Sequence, residues 1–126
     1  MSTFGPSTIC SMGTTADLSG HAYCLVKLNG DRQVTNCSAS SDVAIGVLTD
    51  GVADGSGGLA GVSVAIEGIA KVLTGAGNLS VGHLGTSDGS GKGVTAGSGN
   101  KFIGRCVAAA NENEIAEVLL YRGVIP

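Results

Sequence analysis

Few residues in this chain could do chemistry. It has two histidines, His21 and His83, and four cysteines in 126 residues. A nucleophilic cysteine or serine needs a base beside it, and neither histidine lies in a local pattern of that kind. The cysteines lack a C-x-x-C spacing, so the sequence predicts neither a zinc site nor a redox pair. They are Cys10, Cys24, Cys37 and Cys106.

The glycine-rich segments do not match phosphate-binding loops. Gly91-Lys92 resembles the end of a P-loop, but Thr86 stands where the first glycine belongs and Gly93 where the Mg²⁺-binding hydroxyl belongs. The Asp-Gly pairs are typical of turns, and no calcium-loop pattern is present. We therefore expect a protein that is not an enzyme and that uses no cofactor and no metal.

Composition argues against several classes of protein. Charged residues make up 13% of the chain, aromatic residues make up 3%, and the net charge is −3. Nucleic-acid binders show clustered Lys and Arg with stacking aromatics, so we expect no nucleic-acid partner. No apolar run approaches the ~20 residues of a membrane span, and the first residues do not resemble a secretory signal. We therefore expect no membrane partner, synthesis in the cytoplasm and reduced cysteines.

Short aliphatic and β-branched runs alternate with clusters of Gly, Ser, Asn and Asp. This pattern predicts a small all-β domain of about eight to nine short strands. The length fits one domain. The runs are His21–Leu28, Asp31–Cys37, Val43–Leu48, Val62–Ile66, Ile69–Leu73, Leu84–Ser87, Lys92–Ala96, Lys101–Val107 and Ile115–Tyr121.

Two glycines mark connections between these runs. Asn29-Gly30 separates the first two runs and predicts a hairpin, because both turn residues can take a positive φ. Gly68 is either a bend in one long strand or the turn of a tight hairpin, and we favour the bend. Asp50–Gly61 is rich in glycine and too long for a tight hairpin, so we expect a loop there.

Residues 1–19 are rich in Ser, Thr and Gly and alternate little. We interpret them as an extended N-terminal arm outside the core of a single domain, residues 20–126; the alternative is a disordered tail. The domain has a core of small side chains, so contacts with an oligomer or a partner would stabilise it. Apolar residues of the arm are candidates to lie on a partner surface. They are Phe4, Ile9, Cys10 and Met12.

Short glycine-aliphatic motifs follow one another in a defined order along residues 20–123. They are Ile45-Gly46-Val47, Gly68-Ile69-Ala70, Val81-Gly82-His83-Leu84, Thr86-Ser87-Asp88 with Gly91-Lys92, Ile103-Gly104-Arg105 and Glu117-Val118-Leu119-Leu120. In this order and spacing the chain resembles the small phage proteins that coat assembled heads, the capsid decoration or cement proteins. His83 departs from the pattern, since the family commonly carries an acidic or polar residue there.

The resemblance implies a small β-barrel or β-tulip domain in the virion, on the outer surface of an icosahedral capsid. Such proteins bind the major capsid protein as a homotrimer at threefold or quasi-threefold positions and stabilise the expanded head. The arm would then add a strand to a capsid-protein sheet edge. In that case Phe4, Ile9, Cys10 and Met12 would be its capsid contacts.

Other functions stay open at this point. One is a different structural role in the virion, such as a head-fibre base or a tail component. Another is a small β-barrel ligand-binding module, which would need an apolar cavity with convergent polar groups. An enzyme with a Cys-His pair assembled from distant positions is the third alternative.

Overall fold

The chain folds into two packed β-sheets. We describe it from a computed structural model, in which residues 8–124 are described, with side chains for residues 8–121. This part of the chain contains no helix, and so no helix that is long and apolar enough to cross a membrane. Its ten strands are β1 (Thr8–Thr14), β2 (Leu25–Gly30), β3 (Gln33–Asn36), β4 (Ala44–Leu48), β5 (Ala60–Glu67), β6 (Ile69–Leu73), β7 (Leu84–Ser87), β8 (Gly93–Thr95), β9 (Lys101–Ala108) and β10 (Ile115–Val124).

Five strands close into a barrel in the order β1-β3-β2-β4-β5. β1 runs antiparallel to β5 along its whole length. The barrel closes where Gly13 on β1 pairs in parallel with Gln33 on β3, and the Gly13 N–H donates to the Arg32 carbonyl at 2.7 Å. The prediction of an all-β fold is confirmed, and each of the nine predicted runs overlaps one of the strands β2 to β10.

The expectation that residues 1–19 lie outside the core is wrong for the part that the structure describes. Thr8–Thr14 is the barrel strand β1, the Thr14 side chain is fully buried, and Leu18 belongs to the barrel core. The strand is hard to recognise in the sequence because its pairing with β5, rather than a strong alternation of its own, determines its place. Residues 1–7 lie outside the described residues.

The predicted hairpin between the first two runs is confirmed, but its turn is shifted by two residues. β2 extends through Gly30, and the turn is formed by Asp31 and Arg32. Arg32 takes the positive φ of 56°. Asn29 instead lies at a bulge, where the register between β2 and β3 shifts. The bulge adds a residue to β2, and this displaces the turn.

Gly68 bends the chain between the two sheets, as we favoured from the sequence. β5 ends at Glu67 in the barrel, and β6 begins at Ile69 in the second sheet. Gly68 has a φ of 86°, a left-handed conformation that glycine adopts without steric cost. One nearly continuous segment therefore connects the barrel to the second sheet.

The second sheet has the strand order β6-β10-β9-β7-β8, so β6 and β8 are its edges. β7 and β8 form a hairpin, and the Asp88 carboxylate accepts hydrogen bonds in its turn from the N–H groups of Ser90 and Lys92 at 2.8 and 2.9 Å. One face of this sheet packs against the outside of the barrel. The buried residues of the interface between the sheets are Leu25, Cys37, Ala44, Val47, Ala65, Ala70, Val72, Leu79, Ile103, Cys106, Ala116, Val118 and Leu120.

Candidate interaction surface

Three of the cysteines are core residues. Cys24, Cys37 and Cys106 are at most 2% exposed. Loss of solvation on burial raises the pKa of all three thiols, and that of Cys37 rises to about 12. Because the thiolate is the nucleophile and the metal ligand, these side chains act as small apolar groups near neutral pH.

The histidines lie in different surroundings, and neither belongs to a reactive cluster in the described part of the chain. His21 lies in the turn before β2, where its N–H donates to the Leu18 carbonyl, and its ring Nδ1 is buried without a partner among the described residues. His83 is exposed before β7. Within residues 8–121, no three His, Cys, Asp or Glu side chains form a group that could hold a metal ion.

The most connected carboxylate has a structural role. Asp42 lies in the connection between β3 and β4, where it accepts hydrogen bonds from the N–H groups of Ser38 at 2.8 Å and Ala39 at 3.1 Å and from Lys27 Nζ at 3.1 Å. These contacts, led by the hydrogen bond from the Ser38 backbone, lower the pKa of Asp42 below its usual value. The carboxylate therefore holds its loop closed against β2.

The three predicted capsid contacts that the structure describes do not share one face of β1. Ile9 points outward from β1 and is 50% exposed, whereas Cys10 and Met12 alternate to the other side and are partly buried. Met12 packs against the core inside the barrel. Phe4 lies outside the described residues. Of the described candidates, Ile9 has the most accessible side chain, and the role of all four in capsid binding stays a prediction.

The outer face of the second sheet carries an apolar surface that is not among the residues predicted from the sequence. We call it the outer sheet face. A row of directly paired residues crosses four strands there: Ile69 on β6, Leu119 on β10, Arg105 on β9 and Leu84 on β7. The large apolar side chains most exposed on this face are Val107, Ile115, Leu119 and Tyr121, at 40–43%.

An aromatic pair and an arginine stabilise one end of the outer sheet face. Tyr121 packs edge to face on Phe102, with ring centroids 5.5 Å apart. Arg105 Nε donates to the Tyr121 hydroxyl at 3.0 Å, and another Arg105 nitrogen donates to the Gly82 carbonyl. Tyrosine and arginine are enriched in the cores of protein interfaces, and these side chains are held in place before any partner binds.

One signal in the sequence does indicate this surface. β10 begins Ile115-Ala116-Glu117-Val118-Leu119-Leu120-Tyr121, which is apolar on both of its alternating faces. Ala116, Val118 and Leu120 face the core, so the apolar residues between them face outward. A strand of this kind is typical of a sheet that is covered on both sides. The cross-strand neighbours come from β6, β7 and β9, and only the fold brings them together.

Comparison with known proteins reveals a similar fold. No family model matches the chain, and no curated protein sequence matches it. The fold is similar to the crystal structure of the head fiber gp8.5 N base in bacteriophage phi29, with a TM-score of 0.64 and 18% sequence identity. The match covers 94% of this chain and 99% of that chain. At this identity, the likeness concerns the fold.

Proposed function

We propose that this protein is a non-enzymatic structural component of a phage virion, attached to the outer surface of the head. The observation that carries this proposal is the similarity of its fold, over nearly the whole length of both chains, to the base of a phage head fiber. The resemblance of residues 20–123 to capsid decoration proteins points independently to the same place. The major capsid protein would be its partner on the shell.

We further propose that the outer sheet face binds a second copy of this chain. Lys71 lies directly opposite Glu117 on this face, and the two form no ion pair with each other in the described structure. Around a threefold axis, Glu117 of one copy can pair with Lys71 of the next, and the apolar side chains of Leu119 and Tyr121 can pack beside these pairs. Opposite charges on one apolar surface allow this head-to-tail contact, which closes into a ring of three copies.

Two roles on the head fit this proposal. As a cement protein, the chain would form homotrimers at threefold and quasi-threefold positions and stabilise the expanded shell, as the decoration-protein resemblance implies. As a fibre base, it would anchor a projecting structure, a role that the fold similarity to the phi29 head fiber base favours. In both roles the protein acts by binding, and the number and position of its copies separate the two.

Cryo-electron microscopy of purified particles tests the proposal. We expect density for this chain on the outside of the head. Three copies at every local threefold position would identify the cement role, and copies beneath projecting fibres would identify the fibre base. Density confined to the tail, or absence of the chain from the particle, would contradict attachment to the head.

A further inference from the structure

A groove separates the barrel from β6 in the second sheet. Its volume is about 260 Å³, just below the ~300–1,000 Å³ that small-molecule sites usually have. The groove is therefore suited to one or two side chains rather than to a larger ligand. Its floor includes Val47, Ala65 and Ala70, and Tyr23, Asp50 and Lys71 are at its rim.

At Lys71 of β6, the backbone N–H and C=O face this groove without a hydrogen-bond partner in the described part of the chain. Gly68 and Thr74 flank β6 and bond to β10 or its preceding turn: the Gly68 carbonyl accepts from the Leu120 N–H, and the Thr74 N–H donates to the Glu114 carbonyl. Bonding alternates along an antiparallel pair, so Lys71 and Leu73 direct their backbone groups to the opposite side. The Leu73 N–H donates there to the Tyr23 carbonyl at 2.8 Å. In the described part of the chain, the N–H and C=O of Lys71 have no partner on that side.

Tyr23 closes one end of the groove in a strained conformation. Its φ is 66°, in the left-handed region that bulky residues rarely adopt. Two hydrogen bonds hold it: its N–H donates to the Leu48 carbonyl at 2.9 Å, and its carbonyl accepts from Leu73. Since Leu48 belongs to the barrel and Leu73 to the second sheet, this end of the groove is fixed to both.

We propose that the groove binds one extended segment of the major capsid protein, which adds to β6 beside Lys71 and places an apolar side chain in the cavity. The unpaired N–H and C=O of Lys71 are the groups that an extended backbone would bond. Asp50 and Lys71 at the rim favour a segment with opposite charges beside the apolar residue. This inference rests on the proposed attachment to the head.

The shape of the open edge argues for a single segment rather than a second copy of the sheet. Tyr23 already bonds Leu73, so the open part of the edge is short. It also lies in a groove, between β6 and the end of β4. An entire edge strand with its sheet behind it needs a longer and more accessible edge, whereas one extended chain fits in the groove.

Binding to empty heads that lack this protein tests the inference. Lys71→Pro removes the open N–H without removing a hydrogen bond to β10, and proline is tolerated on edge strands. Lys71→Ala is the matched control, because it removes the side chain and keeps the N–H. In co-sedimentation with purified heads, we expect Lys71→Pro to bind at least about tenfold more weakly than Lys71→Ala. Equal binding by the two variants would overturn the inference.

Hydrogen exchange on the wild-type protein gives a second readout that does not depend on a variant folding. We expect the Lys71 amide to exchange more slowly on heads than in the free protein, because the segment accepts its hydrogen bond. Exchange at Lys71 that is unchanged on heads would overturn the groove as the binding site and leave head attachment intact. A wild-type protein that does not bind heads would overturn the proposed attachment and the groove inference with it.

Discussion

The side-chain amide of Asn36 donates a hydrogen bond to the Ser90 carbonyl at 2.6 Å, and this contact joins the barrel to the β7–β8 hairpin of the second sheet. Beside it, the Leu25 N–H donates to the Gly91 carbonyl at 2.8 Å. Gly91 has a φ of 82°, and a Cβ there would lie 2.5 Å from the Asn36 side-chain amide. The two sheets therefore meet closely at a position that only glycine fits.

Gly91→Ala should destabilise the protein by about 1–3 kcal/mol, because alanine is strained at this φ and its methyl group displaces Asn36. Urea unfolding measures the loss. Gly89→Ala is the control: it lies in the same turn, its φ is not positive, and an added methyl group meets no atom within 4 Å. If both variants lost the same stability, the close contact between the sheets would not be the cause.

Asp42→Asn should lower the free energy of unfolding by about 1–2 kcal/mol near pH ~7, because the carboxylate accepts charge-assisted hydrogen bonds. The pKa of Asp42 is lower in the folded state than in the unfolded chain. Its contribution is therefore complete above the unfolded pKa and is lost as the pH falls through the folded pKa. The difference between wild type and variant should shrink over that acid range.

Urea unfolding at neutral and acid pH checks this prediction for Asp42. Asp31→Asn in the exposed β2–β3 turn is the matched control, and we expect less than about 0.5 kcal/mol from it at either pH. A difference between wild type and Asp42→Asn that stayed constant from pH ~7 to pH ~2.5 would show that the charge of Asp42 does not stabilise the fold.

The cysteines should differ in their reactivity toward iodoacetamide. Cys37 has a pKa of about 12, so only about one molecule in 10⁴ carries its thiolate at pH ~8. Cys24 and Cys106 are buried with raised pKa values, whereas Cys10 is partly exposed. Mass spectrometry of the native protein should therefore find the label on Cys10, and labelling in denaturant should reach all four. Fast native labelling of Cys37 would contradict the buried core.

The sequence predicted the strands well, because each of nine runs carries its own β-branched or alternating pattern and its own turn residues. It did not predict β1. Thr8–Thr14 is a strand because β5 and β3 pair with it, and pairing between distant segments leaves little trace in composition. The hairpin turn lies at Asp31–Arg32 rather than at the predicted Asn29-Gly30, because a bulge at Asn29 changes the register between β2 and β3.

The interaction surfaces were harder to predict from the sequence than the strands, because they too depend on pairing between distant segments. Ile9 and Cys10 are apolar residues in a segment without a core pattern, which predicts a shared surface, yet alternation along β1 directs them to opposite sides. The outer sheet face depends on register across four strands, which joins Ile69, Leu119 and Arg105 from distant parts of the chain. Only the two apolar faces of β10 indicated that surface in advance.

Leu119→Lys should abolish self-association while leaving the fold intact. Leu119 is at the centre of the outer sheet face and is already 42% exposed, so we expect the free energy of unfolding to change by less than about 1 kcal/mol. A second copy would instead have to bury the new ammonium group in an apolar contact, and this is costly without a partner charge. Sedimentation equilibrium measures the association, and urea unfolding measures the stability.

The control for Leu119→Lys is Leu28→Lys on the barrel strand β2, where the side chain is 53% exposed and far from the outer sheet face in the strand order. We expect this variant to associate as the wild type does. The converse charge test uses Lys71→Glu, which places two carboxylates opposite each other and weakens association, and Lys71→Glu combined with Glu117→Lys, which restores it. If neither Leu119→Lys nor Lys71→Glu weakened the association, the contact between copies would lie on another surface.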